Sequence, residues 1–230
     1  MQTRYQFHLT VAILFLSITS CIFAQNRSMY NQETFEKKSM LDIHAGYLSP
    51  RDADQGTILG ATLLSTFDDA IDLGFGMDFF QKSYAEEMEV PNEEGTEPTL
   101  VLRNINFKRT ILPLYASLKI KIPGLISRRN DKVIFGYFAR ASLSYQFLIS
   151  DEKNYQDGKS EKRNYKGWGW QGGAGLFYGV GSRSTLIAEA VYNNCIVNRN
   201  VSKHASLLPS TDRVDLSGVG IRVGVELDIK

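Results

Sequence analysis

The last stretch of the chain, Val219 to Lys230, alternates without a break. Val219, Ile221, Val223, Val225, Leu227 and Ile229 fall on one side of an extended strand. Gly218, Gly220, Arg222, Gly224, Glu226 and Asp228 fall on the other, because successive strand residues point to opposite faces. One face is wholly apolar, while the other mixes glycine with charge. A face turned to bulk water has no need of glycine, which weakens a strand by roughly 0.5–1 kcal/mol relative to alanine. A narrow polar interior does need it, since long charged side chains must find room. The strand therefore implies a barrel with lipid outside and a crowded polar core inside.

The N-terminus sets the compartment. Arg4 supplies a positive start, Leu9 to Phe23 are apolar with few breaks, and Ala24-Gln25 offers a cleavage point. This is the pattern of a secretory signal, too short and wrongly flanked for a permanent transmembrane helix. Ile18-Thr19-Ser20-Cys21 also has the form of a lipidation box. The apolar run continues past it through Ile22 and Phe23, which favours cleavage after Ala24 over lipidation at Cys21. The expected organisation is a signal peptide over 1–24, an N-terminal periplasmic segment over 25–38 and a barrel domain over 39–230. About 206 residues remain after cleavage, enough for one domain. Cys195 is then the only cysteine, which excludes an intramolecular disulfide and a thiolate metal site. The net charge of +1 gives no ground for nucleic-acid binding. A mean hydropathy of −0.20 agrees with a membrane barrel, in which only alternate residues meet lipid.

Seven further segments alternate. Residues 40–49 place Leu41, Ile43, Ala45 and Tyr47 on one face, and 58–67 place Leu59, Ala61 and Leu63 together. In 70–83, Ile71, Leu73, Phe75, Met77 and Phe79 oppose Asp72, Gly74, Gly76 and Asp78. Segments 111–122, 133–147, 168–179 and 185–194 repeat the pattern. The expected fold is all-β, an antiparallel up-and-down transmembrane barrel of about eight strands with a filled polar interior. Pro113 cannot donate a ladder hydrogen bond, so a bulge or a later strand start is expected there. Connections around 50–57, 84–105, 150–166 and 197–213 are long and polar, whereas those around 68–70 and 181–185 are tight. Long loops at one end and short turns at the other are the asymmetry of an outer-membrane barrel. The N-terminus lies on the short-turn, periplasmic side. Phe79, Tyr145, Phe147, Trp168 and Trp170 gather toward the long-loop ends, and Phe135, Tyr137 and Tyr178 toward the turns. Aromatic rings favour these two interfaces.

The inward parity collects Asp72, Asp78, Lys119, Lys121, Arg140, Glu189, Arg222 and Glu226. An eight-stranded barrel is just wide enough for side chains to fill, and an isolated buried charge costs several kcal/mol. These residues are expected to form an internal ion-pair network, with Asp72, Arg140, Glu189, Arg222 and Glu226 as its members. Lys119, Lys121 and Asp78 are assigned to the hydrated rims. His44 falls on the inner face as a structural histidine. No catalytic constellation emerges: His204, Ser202, Ser206 and Ser210 share a long loop, but no orienting group is placed with them. No phosphate loop or HExxH motif occurs. The acidic run over 85–97 lacks the spacing of a calcium loop and reads as a solvated face. Neither a cofactor nor a metal is implied.

Four features carry a family resemblance: the signal ending Phe23-Ala24-Gln25, the strand ILPLYASLKIKI (111–122), the segment GWGWQGGAGLFYG (167–179), and LIAEAVYNN (186–194) with its inward Glu189. Together with the glycine-spaced final strand, they resemble the small outer-membrane β-barrel proteins of the OmpX and PorT-like families over about residues 40–230. The chain departs from the common pattern at its end, where Ile229-Lys230 replaces an aromatic residue. The resemblance implies a non-enzymatic integral outer-membrane protein whose long loops contact the environment or a protein partner. Membrane lipid, lipopolysaccharide and the outer-membrane assembly machinery are the other implied partners. The alternative it leaves open is an accessory role in secretion or transport. A narrow pore or a lipid-modifying barrel enzyme ranks below that.

Overall fold

A computed structural model of the chain describes residues 38–91, 100–126, 133–154, 160–181, 183–199 and 212–229. The expected signal over 1–24 with Cys21, nearly all of the segment 25–38, and the loop bearing His204 and Ser206 lie outside the described residues. The described residues form nine strands: β1 (Ser39–Pro50), β2 (Gly56–Asp68), β3 (Ile71–Pro91), β4 (Leu100–Ile126), β5 (Val133–Asn154), β6 (Ser160–Val180), β7 (Ser184–Arg199), β8 (Arg213–Asp215) and β9 (Gly218–Ile229).

Each strand from β1 to β7 pairs antiparallel with the next, and β9 closes the ring by pairing with both β7 and β1. The closing register sets Ile43 against Val225 and Leu41 against Leu227, which joins the final strand to the 40–49 segment as expected. Closure matters because lipid offers no hydrogen-bond partner to an open sheet edge. β8 and β9 lie end to end along β7 as one eighth stave, interrupted at Leu216 and Ser217. Side chains mend the break: Asn193 Nδ2 donates to the Leu216 carbonyl at 2.7 Å, and the Cys195 N–H donates to Ser217 Oγ at 3.2 Å.

The exposure pattern inverts that of a water-soluble protein. Phe75 is 76% exposed while Asp72, three residues earlier on the same strand, is 0% exposed. The same holds around the ring, with Ile43, Leu63, Leu143, Trp168, Leu186 and Ile221 outside and Asp42, Asp78, Lys119, Arg140, Glu189 and Arg222 inside. Aromatic rings cluster at both ends of the outer face. Tyr145 packs edge-on against Phe147 and Trp168 (4.9 and 5.1 Å), and Phe135 against Tyr137 (5.3 Å).

Three expectations are corrected. First, the long connections over 84–105 and 150–166 are largely strand: β3 runs on to Pro91, β4 begins at Leu100, β5 reaches Asn154 and β6 starts at Ser160. These extensions have polar residues on both faces, so they lack the apolar alternation that marks a lipid-facing strand. Second, Pro113 makes neither a bulge nor a strand start. Met77 opposes Leu114 and Phe80 opposes Ile111 in unbroken register, and two rungs to β3 are simply absent between them. On its other side Pro113 stays paired with Gln146 of β5. Third, the interior is not polar throughout. Ile58, Phe80, Ile111, Leu148 and Tyr165 stand opposite one another in turn across β2 to β6. Leu48, Cys195, Val197, Val214 and Leu216 complete one buried apolar cluster with them. The barrel thus carries an apolar plug at the end where the strands are extended.

Candidate functional site

Below the plug, the lumen is an ion-pair network. Arg140, on β5, is its centre: Nη2 donates to Asp42 Oδ2 at 2.9 Å, Nε lies 3.5 Å from Glu189 Oε1, and Glu226 Oε1 is 3.9 Å from Nη2. Lys119 Nζ also donates to Glu226, and sits 4.5 Å from the centre of the Phe138 ring. A second cluster surrounds Asp78. Tyr115 donates its hydroxyl to Asp78 at 3.0 Å, His44 Nε2 lies 2.9 Å away, and Arg222 Nη2 is 3.2 Å from the other oxygen. His44 joins the clusters, with Asp42 Oδ1 3.2 Å from its Nδ1. An imidazolium can donate to both carboxylates at once, whereas a neutral ring can donate to only one. Among the described residues below the plug, five carboxylates (Asp42, Asp72, Asp78, Glu189, Glu226) face four permanent cations (Lys119, Lys121, Arg140, Arg222), so a charged His44 balances that set.

The structure brings Arg140, Glu189 and Glu226 together. It places Arg222 directly across the ladder from Glu189, yet spends its guanidinium on Asp78 and on Gln171 Oε1 at 3.0 Å. Asp72 stands apart and accepts from Lys121 Nζ at 2.9 Å. Lys121 is at a rim, its side chain 23% exposed. Lys119 and Asp78 are not rim residues: both are buried. β4 continues past them to Ile126 and β3 to Pro91, so positions counted as strand ends are interior. Asp42 and His44 were missed as network members. Their signal was parity alone, since both alternate with the outward Leu41, Ile43 and Ala45. Glycines on facing strands supply the room: a Cβ on Gly60 would enter the Asp78 carboxylate and His44, and one on Gly173 the Glu189 carboxylate. The glycines of β9 act otherwise, because Gly218, Gly220 and Gly224 lie against the β1 backbone.

Above the plug, the next inward rows of the extension are Lys82, Arg109, Ser150 and Arg163, then Tyr84, Phe107, Glu152 and Glu161. Between these rows and the β1–β2 loop lies a cleft of about 620 Å³, lined by Arg51 to Gln55, Tyr84, Phe107, Arg109, Glu152 and Arg213. Tyr84 and Phe107 stack at 5.4 Å, and Arg109 lies over both rings. Burial pushes the Tyr84 hydroxyl up to about 12, against the pull of Arg109. Burial also raises the Glu152 carboxyl above its usual range, although Arg163 opposes it from 2.7 Å. Arg163 lowers Glu161 through a 2.8 Å hydrogen bond.

This inside-out barrel can be set beside known structures. No protein-family model and no curated protein matches the chain. The outer-membrane protein OprG of Pseudomonas aeruginosa matches at a TM-score of 0.50 and 15% identity, over 84% of this chain and 96% of that one. The chain has the fold of the small outer-membrane β-barrels. Neisserial surface protein A (TM-score 0.48, 12% identity, 84% and 97% covered) and Ail of Yersinia pestis (0.47, 13%, 84% and 99%) are also similar. At such identities the likeness concerns fold and carries no activity. An outer-membrane protease of Escherichia coli, OmpT, lies among the similar structures at a TM-score of 0.44 and 8% identity, over 86% of this chain and 100% of that one.

Chemically, the lumen of this outer-membrane-type barrel is a set of matched charges. Each lumen cation has at least one carboxylate within 4 Å, and the apolar plug closes the end toward the extension. Among the described residues no cluster of histidine, cysteine, aspartate and glutamate has the geometry to hold a metal ion.

Proposed function

We propose that the protein is a non-enzymatic integral protein of the bacterial outer membrane, reached after removal of a signal peptide over 1–24. Its filled barrel is an anchor, and its extension contacts the environment or a protein partner. The observation that carries this reading is the inverted surface, with a continuous apolar belt outside and buried charge inside. Water would strip such a belt of any benefit, because exposed apolar surface costs about 25 cal/mol per Å² relative to burial. Lipid removes that penalty and needs a closed ring of the kind described above.

A filled lumen also argues against a diffusion pore, since open aqueous barrels need about 16–18 strands. The extension supports a contact role by a different route. Pairing between β2 and β3 ends at Ile58 and Phe80, whereas β3 continues to Pro91 with only β4 beside it among the described residues. From Gln81 onward, no described strand pairs with that edge of β3, which is the geometry an incoming strand can join. Lipopolysaccharide around the belt and the assembly machinery acting on the closing strand are the further partners in this reading.

Cell fractionation combined with a heat-modifiability gel tests it. The protein should appear in the outer-membrane fraction, migrate as a compact band in SDS without heating, and shift on boiling. Recovery from the soluble periplasm, or a band indifferent to heating, would overturn the reading.

A further inference from the structure

We propose that the mouth of the barrel is a binding site for a small organic oxyanion, a carboxylate or phosphate on a body of monosaccharide size, anchored by the Arg109 guanidinium. The proposal goes beyond the anchoring function and does not depend on a protein partner.

Arg109 is 7% exposed, and its Nε and Nη1 have no hydrogen-bond partner. Buried guanidinium donors are normally satisfied, because leaving them unpaired costs the desolvation of a charged group. Nearby carboxylates do not answer the need, since they are already engaged. Glu152 is held by Arg163 at 2.7 Å, and Glu161 by Arg163 at 2.8 Å and Arg199 at 3.5 Å. Asp54 pairs with Lys82 at 3.3 Å, and Asp52 accepts the Asp215 N–H at 2.7 Å. Asp215 itself pairs with Arg51 at 3.3 Å. Glu86 and Arg213 also line the cleft, and both are exposed to solvent, where water meets their hydrogen-bonding needs. Arg109 is thus a buried cation with two idle donors that opens into a cavity.

The surroundings select the ligand. Guanidinium donors in a fixed planar fork match the two oxygens of a carboxylate or phosphate. Tyr84 and Phe107 hold the guanidinium from one side, 5.4 and 5.3 Å from their ring centres. Their rings also offer a flat apolar wall to the body of the ligand. The volume of about 620 Å³ lies within the range of small-molecule sites, and the plug beneath gives the cleft a closed floor.

The test uses the full chain folded in detergent, with folding checked by the heat shift. Isothermal titration compares galacturonate, glucose 1-phosphate and glucose. At least one anion should bind at least about tenfold tighter than glucose, and which of the two binds tighter identifies the group recognised. Arg109→Gln should weaken that binding about ten- to a hundredfold. Arg109→Lys, which keeps the charge but not the fork, should fall between. If the glutamine variant does not fold, the lysine variant carries the comparison. The proposal fails if neither anion binds, if glucose binds as tightly as both, or if a folded Arg109 variant binds as the parent does.

Discussion

Replacing Arg140 with glutamine should be the most damaging single change in the lumen. The side chain is 3% exposed and serves Asp42 at 2.9 Å, Glu189 at 3.5 Å and Glu226 at 3.9 Å. Its removal leaves three carboxylates with less compensation in a site water does not reach. Breaking a buried ion pair by deleting one partner costs about 3–5 kcal/mol. Lys119 still reaches Glu226, which places the expected loss for Arg140→Gln within that range rather than above it. Lys82→Gln is the control: it removes one ion pair, to Asp54 at 3.3 Å, whose two side chains are 31% and 49% exposed. Hydrated pairs are worth about 0–1 kcal/mol. Urea unfolding of the detergent-folded protein, followed by the fluorescence of the outward Trp168 and Trp170, measures both. A loss below about 1 kcal/mol for Arg140→Gln, or equal losses for the two variants, would refute the claim that the network is dry and mutually dependent.

Other consequences are as direct. Phe75→Arg, on the lipid-facing side of β3, should cost about 2–4 kcal/mol, whereas Glu86→Arg on the extension should be neutral in the same unfolding assay. Phe80→Ala removes a fully buried ring from the plug and should cost about 3–5 kcal/mol through the cavity it leaves. It should still give no steady conductance in planar bilayers, because the ion-pair network remains below; stable channels would contradict a doubly filled lumen. Glu161 has a carboxyl held below its ordinary value of 4.5, chiefly by the Arg163 hydrogen bond. A lowered folded-state value gives stability that is present above the unfolded value and lost as pH falls through the folded one. Hydrogen-exchange protection of the β5–β6 extension, taken relative to the intrinsic rate at each pH, should therefore fall on acidification below about 4.5, and Glu161→Gln should flatten that dependence.

The parts of this fold that were legible in the sequence are those where lipid lies on one side. Ile71 to Phe79 and Val219 to Ile229 alternate because one face meets hydrocarbon and the other a charged lumen. The extensions escaped because Gln81 to Ser83 and Glu161 to Asn164 carry polar residues on both faces. The plug escaped for another reason. Its members sit beside outward apolar neighbours, as in Tyr47-Leu48, Ile58-Leu59, Phe79-Phe80, Ile111-Leu112 and Phe147-Leu148. Such pairs blur a period-2 reading, although their recurrence at one end of five segments was itself a sign. In the network, Arg140, Glu189 and Glu226 were placed on the right face by parity. Which strands face one another across the lumen is a property of closure, so the bonds from Arg222 to Asp78 and from Arg140 to Asp42 could not be read from any single strand.

The central claim is that the apolar face is the outer one and lies in lipid. Spin labels placed singly at Gly74, Phe75, Gly76 and Met77, in protein reconstituted into bilayers, test it through collision with oxygen and with a water-soluble nickel chelate. The account predicts that labels at Phe75 and Met77 collide freely with oxygen and are shielded from nickel. Labels at Gly74 and Gly76 should either prevent folding or be immobile and inaccessible to both. Nickel access at Phe75 and Met77 equal to that of a label at Glu86 would contradict it.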